Sequence, residues 1–397
     1  MRTIYYVVFA FLFCTVNTLS AQTSSFGKGI KYKAPDSSFS IKFNTRVQSL
    51  FILEFPDIND IENQDPASQA LVRRARLKLG GFAFSPDITY KVEIGLSNRD
   101  IGGASSHTKD GSKLLLDAVI KWKFSKHWSV WFGQTKLPGN RERVISSQNL
   151  QFVDRSLLNS TYNIDRDMGV QLHGKYKFGD MVIKEAFSIS MGEGRNVTDK
   201  NQGGLDYTGR FEIMPFGAFT KKGDYFASDL YREQSPKLSI GATYDYHHNA
   251  VKTKGNLGSW IEDGEGGFAQ ATLKTLFIDM MFKYKGWSVM GEYADKGSDD
   301  GAIAFNPAGE ILGTFQLGTG TNLQLGYLFD NNLELSGRFT QISPEEEVGA
   351  ERTQYTLGLS KYISGHNLKI QSDISYMEIV DSETNPMMFR FQVEIGL

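Results

Sequence analysis

The residues with the most chemical potential are basic. Arg141, Arg143, Arg155 and Arg166 fall within one stretch, among Glu142, Asp154, Asp165 and Asp167. Such a set supports two readings. On a loop folded into a pore, Arg141, Arg143 and Arg155 would stand at the narrowest point, where low-dielectric walls focus their field on a passing anion. Alternatively, the arginines pair with neighbouring acids and fasten the loop to the wall. A second basic set, Arg46, Arg74, Arg76, Lys78, Lys91, Lys121 and Lys123 with Lys42 beside them, has only Glu93 and Asp117 as nearby acids. If those side chains share a lumen they form a strip that favours anions. The bland alternative is a solvated polar lining. Later pairs, Arg210 with Glu212, Glu334 with Arg338, Lys369 with Asp373 and Arg390 with Glu394, read as mixed and self-neutralising.

Other chemistries lack their groups. The single cysteine, Cys14, lies in the first 21 residues, so a chain processed there has no thiol for catalysis, disulfides or metal. The six histidines do not gather. His107, His127 and His366 fall in connections, His173 on a polar strand face, and His247 and His248 point oppositely on a strand. Nucleophile, base and orienting group are therefore not assembled, and no enzyme, metal or cofactor is expected. Forty-three Lys plus Arg against 45 Asp plus Glu give a net charge of −2, which argues against nucleic acid as a partner.

The positioning elements read as strands. Between Val72 and Leu96, Ala75, Leu77 and Leu79 alternate with Arg74, Arg76 and Lys78; then, after a turn at Ser85-Pro86-Asp87, Ile88, Tyr90, Val92 and Ile94 alternate with Thr89, Lys91 and Glu93. An extended backbone sends the two sets to opposite faces. One such hairpin fits a soluble sandwich as well as a membrane barrel. The pattern recurs to the end of the chain, about 16 times. Short turns near 125–126, 179–180, 285–286, 330–331 and 364–365 alternate with longer polar loops, and 215–236 is long where a short turn is expected. Segregated loop lengths and an even strand number predict an all-β fold, a transmembrane antiparallel up-and-down β-barrel closed so that no edge meets lipid. Forty glycines, 50 aromatic residues and a mean hydropathy of −0.31 suit it.

Residues 1–21 have an early Arg2, an apolar run from Ile4 to Val16 and a small-residue end at Ala21, the organisation of a signal peptide. The expected division is 1–21 signal peptide, 22–38 periplasmic lead and 39–397 barrel in the bacterial outer membrane.

Leu71 to Gly81, Val130 to Pro138, and Arg141-Glu142-Arg143 followed by Ser146 to Ser156 resemble the phosphate-selective porin O and P family in its Bacteroidetes-type members. The resemblance implies a 16-stranded porin, usually a homotrimer, with an inward-folded third long loop that narrows the pore and basic lumen residues that guide anions. By position that loop is 138–165. The acidic net charge, the absence of a lysine cluster in the loop and the non-aromatic terminal Leu397 depart from the strict pattern. The expected function is passive diffusion of small polar or anionic solutes through a barrel in contact with outer-membrane lipid. A non-conducting surface barrel that binds a partner and an outer-membrane hydrolase are the rival readings.

Overall fold

The computed structural model describes residues 25–63, 65–102, 105–109 and 111–397; the proposed signal peptide lies outside them. The strands in order are β1 (Ile30–Lys33), β2 (Ser40–Phe55), β3 (Ala67–Ala83), β4 (Ser85–Gly95), β5 (Leu115–Trp122), β6 (Trp128–Lys136), β7 (Arg166–Phe178), β8 (Met181–Ser190), β9 (Asp206–Met214) and β10 (Lys237–Ala250). They continue with β11 (Ala271–Tyr284), β12 (Trp287–Ser298), β13 (Ile303–Phe305), β14 (Ile311–Thr314), β15 (Gly318–Leu328), β16 (Leu333–Pro344), β17 (Arg352–Tyr362), β18 (Leu368–Ile379) and β19 (Met387–Gly396). Two short helices, α1 (Arg141–Val144) and α2 (Leu157–Tyr162), lie in the long connection between β6 and β7.

Sixteen of the strands, all but β1, β13 and β14, pair antiparallel with their neighbours, and β19 returns to β2 with Phe391 opposite Phe51. The sheet is a closed barrel. Its polarity is inverted relative to a soluble protein: on β2, Val47 and Phe51 are 43% and 39% exposed while Arg46 and Gln48 are 7% and 0% exposed. Lipid offers no hydrogen bonds and no penalty for apolar surface, so the apolar parity faces out and the polar parity in.

The rims differ as the alternation predicted. One carries the long connections, the other carries short turns and both ends of the barrel. The first turn is tighter than expected: Ser85, Pro86 and Asp87 begin β4, Ala83 pairs with Ser85, and Phe84 alone makes the reversal at φ +66°. The segment before the barrel also contributes a strand. β1 pairs with the start of β2, Ile30 opposite Phe43, where β19 has already ended at Gly396 opposite Arg46. It covers a stretch of β2 that would otherwise be a free edge.

Two connections enter the bore. The 137–165 loop, third of the long ones, lays Leu137, Leu158, Tyr162 and Ile164 against the inward Phe277, Ala294 and Ile342 of β11, β12 and β16. From the opposite rim, 215–236 brings Phe219 into a second cluster with the loop's Ile145 and Leu150 and the wall's Val182, Met214, Met281 and Met290. The wall is relieved where the loop lies. A Cβ on Gly326 would run into the Gln151 amide, and one on Gly358 would lie 2.9 Å from the Phe152 ring.

Candidate functional site: a basic cavity beside the inward loop

On the side of the bore left open by these segments is a cavity of about 440 Å³. Strand β3 supplies Arg73, Arg74 and Arg76; β6 supplies Lys136; the inward loop supplies Arg143 and Arg155; Arg166, Arg338 and Arg390 come from β7, β16 and β19, and Arg99 and Arg195 from long loops. The acids in the lining are Asp100, Asp154 and Asp165. Eleven cations against three lining carboxylates leave the surface electropositive, with Arg76, Arg166 and Arg390 also paired to Glu93, Asp117 and Asp373 outside the lining. Arg76 also borders a smaller cavity of about 190 Å³ that contains Arg46, Lys78 and the C-terminal Leu397, so the basic lining continues toward the turn rim.

Strand periodicity alone does not explain β3, because Arg73 and Arg74 are consecutive and should point to opposite faces. A bulge resolves this: Gln48 pairs with Arg74 and Ser49 with Val72, which leaves Arg73 as the extra residue. Both guanidiniums then reach one carboxylate. Arg73 donates to Asp154 Oδ2 at 2.6 and 2.9 Å and Arg74 to Oδ1 at 2.9 Å. Burial alone would raise the Asp154 pKa, but Arg74 and Arg73 outweigh it and hold the carboxyl well below its ordinary value. Asp165, beside Arg143 at 2.7 Å and near Arg166, and Asp100, bound by Arg76 at 2.5 and 2.6 Å, are lowered against burial in the same way. Arg155 is the counterexample. Its hydrogen bonds go to the carbonyls of Glu142 and Ile145, and burial, then the charges of Arg143 and Arg74, pull its pKa well down. The field there is one of excess positive charge.

The proposed pore arginines separate. Arg143 and Arg155 line the larger cavity; Arg141 lines neither. Its side chain is fully buried on the far wall, donating to Glu212 at 2.6 Å, to Asp279 at 3.2 Å and to Ser239 at 2.8 Å. For Arg141 the fastening alternative describes the geometry. Of the basic strip, Arg74 and Arg76 face the larger cavity and Arg46 the smaller one. Lys78 and Lys91 flank Glu93, at 3.7 and 2.8 Å, and Lys91 also reaches Asp117 at 2.6 Å. Lys121 sits 3.2 Å above the Trp131 ring, whose other neighbour is His173 at 3.8 Å. Lys123 is past the end of β5 and exposed on the turn rim.

The i, i+4 pairings expected on later strands are replaced. Four residues of strand span roughly 13 Å, whereas cross-strand partners are about 5 Å apart. Arg390 accordingly pairs with Asp373 on β18 at 2.6 Å, and Glu394 with Arg46 at 3.1 Å and Lys369 at 3.6 Å. Glu334 accepts from Tyr362 and Gln151, and Arg338 lies 3.9 Å from Glu142 of the loop. Arg210 with Glu212, two residues apart on one face, holds as expected at 3.1 Å. Arg73, Arg99, Arg195, Arg338 and Arg390 were not anticipated as part of the basic surface. A bulge, two loop folds and barrel closure bring them there, and none has a local sequence signal.

The model for the family described as phosphate-selective porin O and P matches residues 42–251, more than half of the chain. No curated protein matches the chain. Among solved structures, an anion-selective porin from Comamonas acidovorans superposes with a TM-score of 0.56 at 10% identity, covering 90% of this chain and 100% of that one. The outer membrane channel DcaP of Acinetobacter baumannii gives 0.54 at 11%, covering 92% and 99%. The trimer form of OmpT, an outer membrane protein of Vibrio cholerae, gives 0.50 at 9%, covering 91% and 100%. At these identities the likeness is one of fold.

Proposed function

The chain belongs to the phosphate-selective porin O and P family and is an outer-membrane porin channel; from that premise we propose that it passes small anions and polar solutes by passive electrodiffusion along the wall formed by β2 to β7. The observation that carries this reading is the cavity with eleven cations and three acids. Anions entering from the loop rim meet Arg99 and Arg195, pass the loop's Arg143 and Arg155 opposite Arg73 and Arg74, and leave by Arg76, Arg46 and Lys78. Every acid in that cavity is already engaged by an arginine, so the field a solute meets is positive. The inward loop acts as the constriction on this path, and Arg141 as its anchor.

The same reading makes the chain a homotrimer exported by residues 1–21, with the turn rim in the periplasm. The test is the reversal potential of the refolded mature protein in a planar bilayer under a potassium chloride gradient, repeated with potassium phosphate. An anion-side reversal in both supports the reading, and a cation-side reversal overturns it. Folded protein that does not conduct would favour the binding-barrel alternative. Chemical cross-linking in detergent reads the trimer.

A further inference from the structure

The walls of the basic cavity are not alike. Beside the arginines is a neutral part that comes from a single helix face. Ser156, Asn159, Ser160 and Asn163 line the cavity and recur at the three- and four-residue spacing that puts them on one face of α2 and its two caps. The other face of that helix, with Leu158 and Tyr162, packs against the barrel wall. Gln354 of β17 adds a carboxamide to the same lining. Among the described residues that line the cavity, only Leu116 and Leu157 are apolar, so there is almost no surface for an apolar solute body.

Much of the hydrogen-bonding capacity on this part is unspent. Ser156 is committed, since its hydroxyl donates to Glu142 at 2.5 Å. The hydroxyl of Ser160, an exposed residue, donates to the Leu157 carbonyl at 2.8 Å and keeps its lone pairs for another donor. Asn163 donates from its amide nitrogen to the Asn159 carbonyl, and its own side-chain oxygen accepts nothing. The carboxamides of Asn159, 2% exposed, and of the half-buried Gln354 have no hydrogen-bond partner among the described residues. Buried amides are normally satisfied, so these point to what the cavity holds. The charged part has donors to spare as well: Lys136, Arg99, Arg155 and Arg195 bond to carbonyl oxygens and not to carboxylates. Guanidinium and ammonium groups only donate, whereas amides and hydroxyls also accept. A bare inorganic anion answers the donors and leaves the acceptors unused.

Resting on the reading of this cavity as the anion path, we infer that the solute it selects is a polyhydroxylated organic anion, a sugar ring that carries one carboxylate or phosphate. The guanidiniums hold the charged group, and Asn159, Ser160 and Gln354 exchange hydrogen bonds with the ring hydroxyls, which donate as well as accept. Size agrees. A volume of about 440 Å³ falls in the range of roughly 300–1,000 Å³ that encloses small organic molecules, and a chloride or phosphate ion fills little of it. Sites of that size are mostly lined by apolar side chains. Here the lining is polar, and an apolar ring would leave its amides unpaired.

The experiment is single-channel recording of chloride current through the refolded mature protein in a planar bilayer, with sodium glucuronate or sodium cyclohexanecarboxylate added. The two solutes share a six-membered ring and one carboxylate and differ in hydroxyls. Glucuronate is expected to halve the current at a concentration roughly tenfold or more below that of cyclohexanecarboxylate, and below that of inorganic phosphate, because a solute without ring hydroxyls strands the neutral part of the wall. Equal half-block concentrations for the two carboxylates, or stronger block by phosphate, overturn the inference. Glucose 6-phosphate that blocks as glucuronate does supports the class with either charged group, and block by one of the two sugars alone supports it with that group. Ser160→Ala and Gln354→Leu, in barrels shown to be folded by heat-modifiable migration, are each expected to lower the ratio between the two carboxylates severalfold. An unchanged ratio in both overturns the placement of the hydroxyls. The reversal potential in potassium chloride separates the two readings: with an anion-side reversal a failed sugar test sinks the solute class alone, whereas a cation-side reversal sinks the anion path with it.

Discussion

At the scale of single residues, the arginines of the inward loop differ by what they touch. Arg143 and Arg155 border the basic cavity, so Arg155→Glu and Arg143→Glu are expected to move the reversal potential toward cations, and Arg155 more, because its side chain is bonded to carbonyl groups whereas Arg143 is paired with Asp165. Arg141→Gln is expected to leave selectivity nearly unchanged and to destabilise the protein by about 1.5–3 kcal/mol, since Glu212 and Asp279 lose one buried partner while Arg210 and, for Glu212, Lys184 remain. Denaturant titration followed by tryptophan fluorescence reads the second effect. The acids of the cavity give a pH prediction. Asp100, Asp154 and Asp165 are all held below ordinary carboxylate values, so they stay ionised as pH falls from 7 to about 4, where free aspartates begin to protonate. Anion selectivity should therefore be flat over that window. A rise between pH 6 and 4 would mean that these carboxylates are released from their arginines. The arginine-rich motif was visible in the sequence, but the division of labour within it was not. Alternation cannot place loop side chains, and Arg141 was separated from Arg143 only by the path of α1.

At the scale of elements, the 137–165 loop is held by shape as much as by charge. Lys136 donates to the carbonyls of Arg143, Val144 and Ile145, satisfying the end of a helix too short to stand alone. Asn140, Glu142 and Ser156 form a second fastening, in which Glu142 accepts from the Ser156 N–H and hydroxyl and Glu292 from the Glu142 N–H at 2.7 Å. The glycines of the facing wall complete the seat. Gly358→Leu is expected to push Phe152 off the wall and shift the loop, giving a noisier single-channel current than the wild type in the same bilayer. A current trace as quiet as wild type would show that the loop does not depend on that contact. The length and position of this loop were legible because alternation stops for longer than an ordinary connection requires. Its seat was not, because a wall glycine reads the same whether it faces a side chain or empty space.

At the scale of the whole molecule, the bore is asymmetric. The 215–236 segment enters from the turn rim and is caged there: Lys283 donates to the carbonyls of Gly223, Phe226 and Ser228 at 2.8 Å each, and Lys184 to Asp224 at 2.5 Å. It meets the inward loop where the Asn149 side chain donates to the Tyr225 carbonyl at 3.0 Å and the Ala227 N–H to the Asn149 carbonyl at 2.9 Å. Replacing 217–234 by an Asn-Gly turn is expected to raise single-channel conductance while the reversal potential stays on the anion side, because the basic wall is untouched. Unchanged conductance would place the rate-limiting constriction wholly at the inward loop.

The sequence by itself determined what depends on local periodicity and on the solvent. Alternating parity, loop lengths that segregate and an even strand number specify a closed membrane barrel, since lipid leaves a spanning sheet no other way to satisfy its backbone. Strand parity alone also assigned Arg46, Arg74 and Arg76 to the interior. Tertiary structure decided which charges remain available. Cross-strand neighbours a few ångströms apart outcompete partners along the same strand, as Arg390 with Asp373 shows. A single bulged residue turns Arg73 to the cavity beside Arg74, and two chain segments folded into the bore bury one wall and leave the other open. Those outcomes depend on distances across the barrel, which no stretch of the sequence contains.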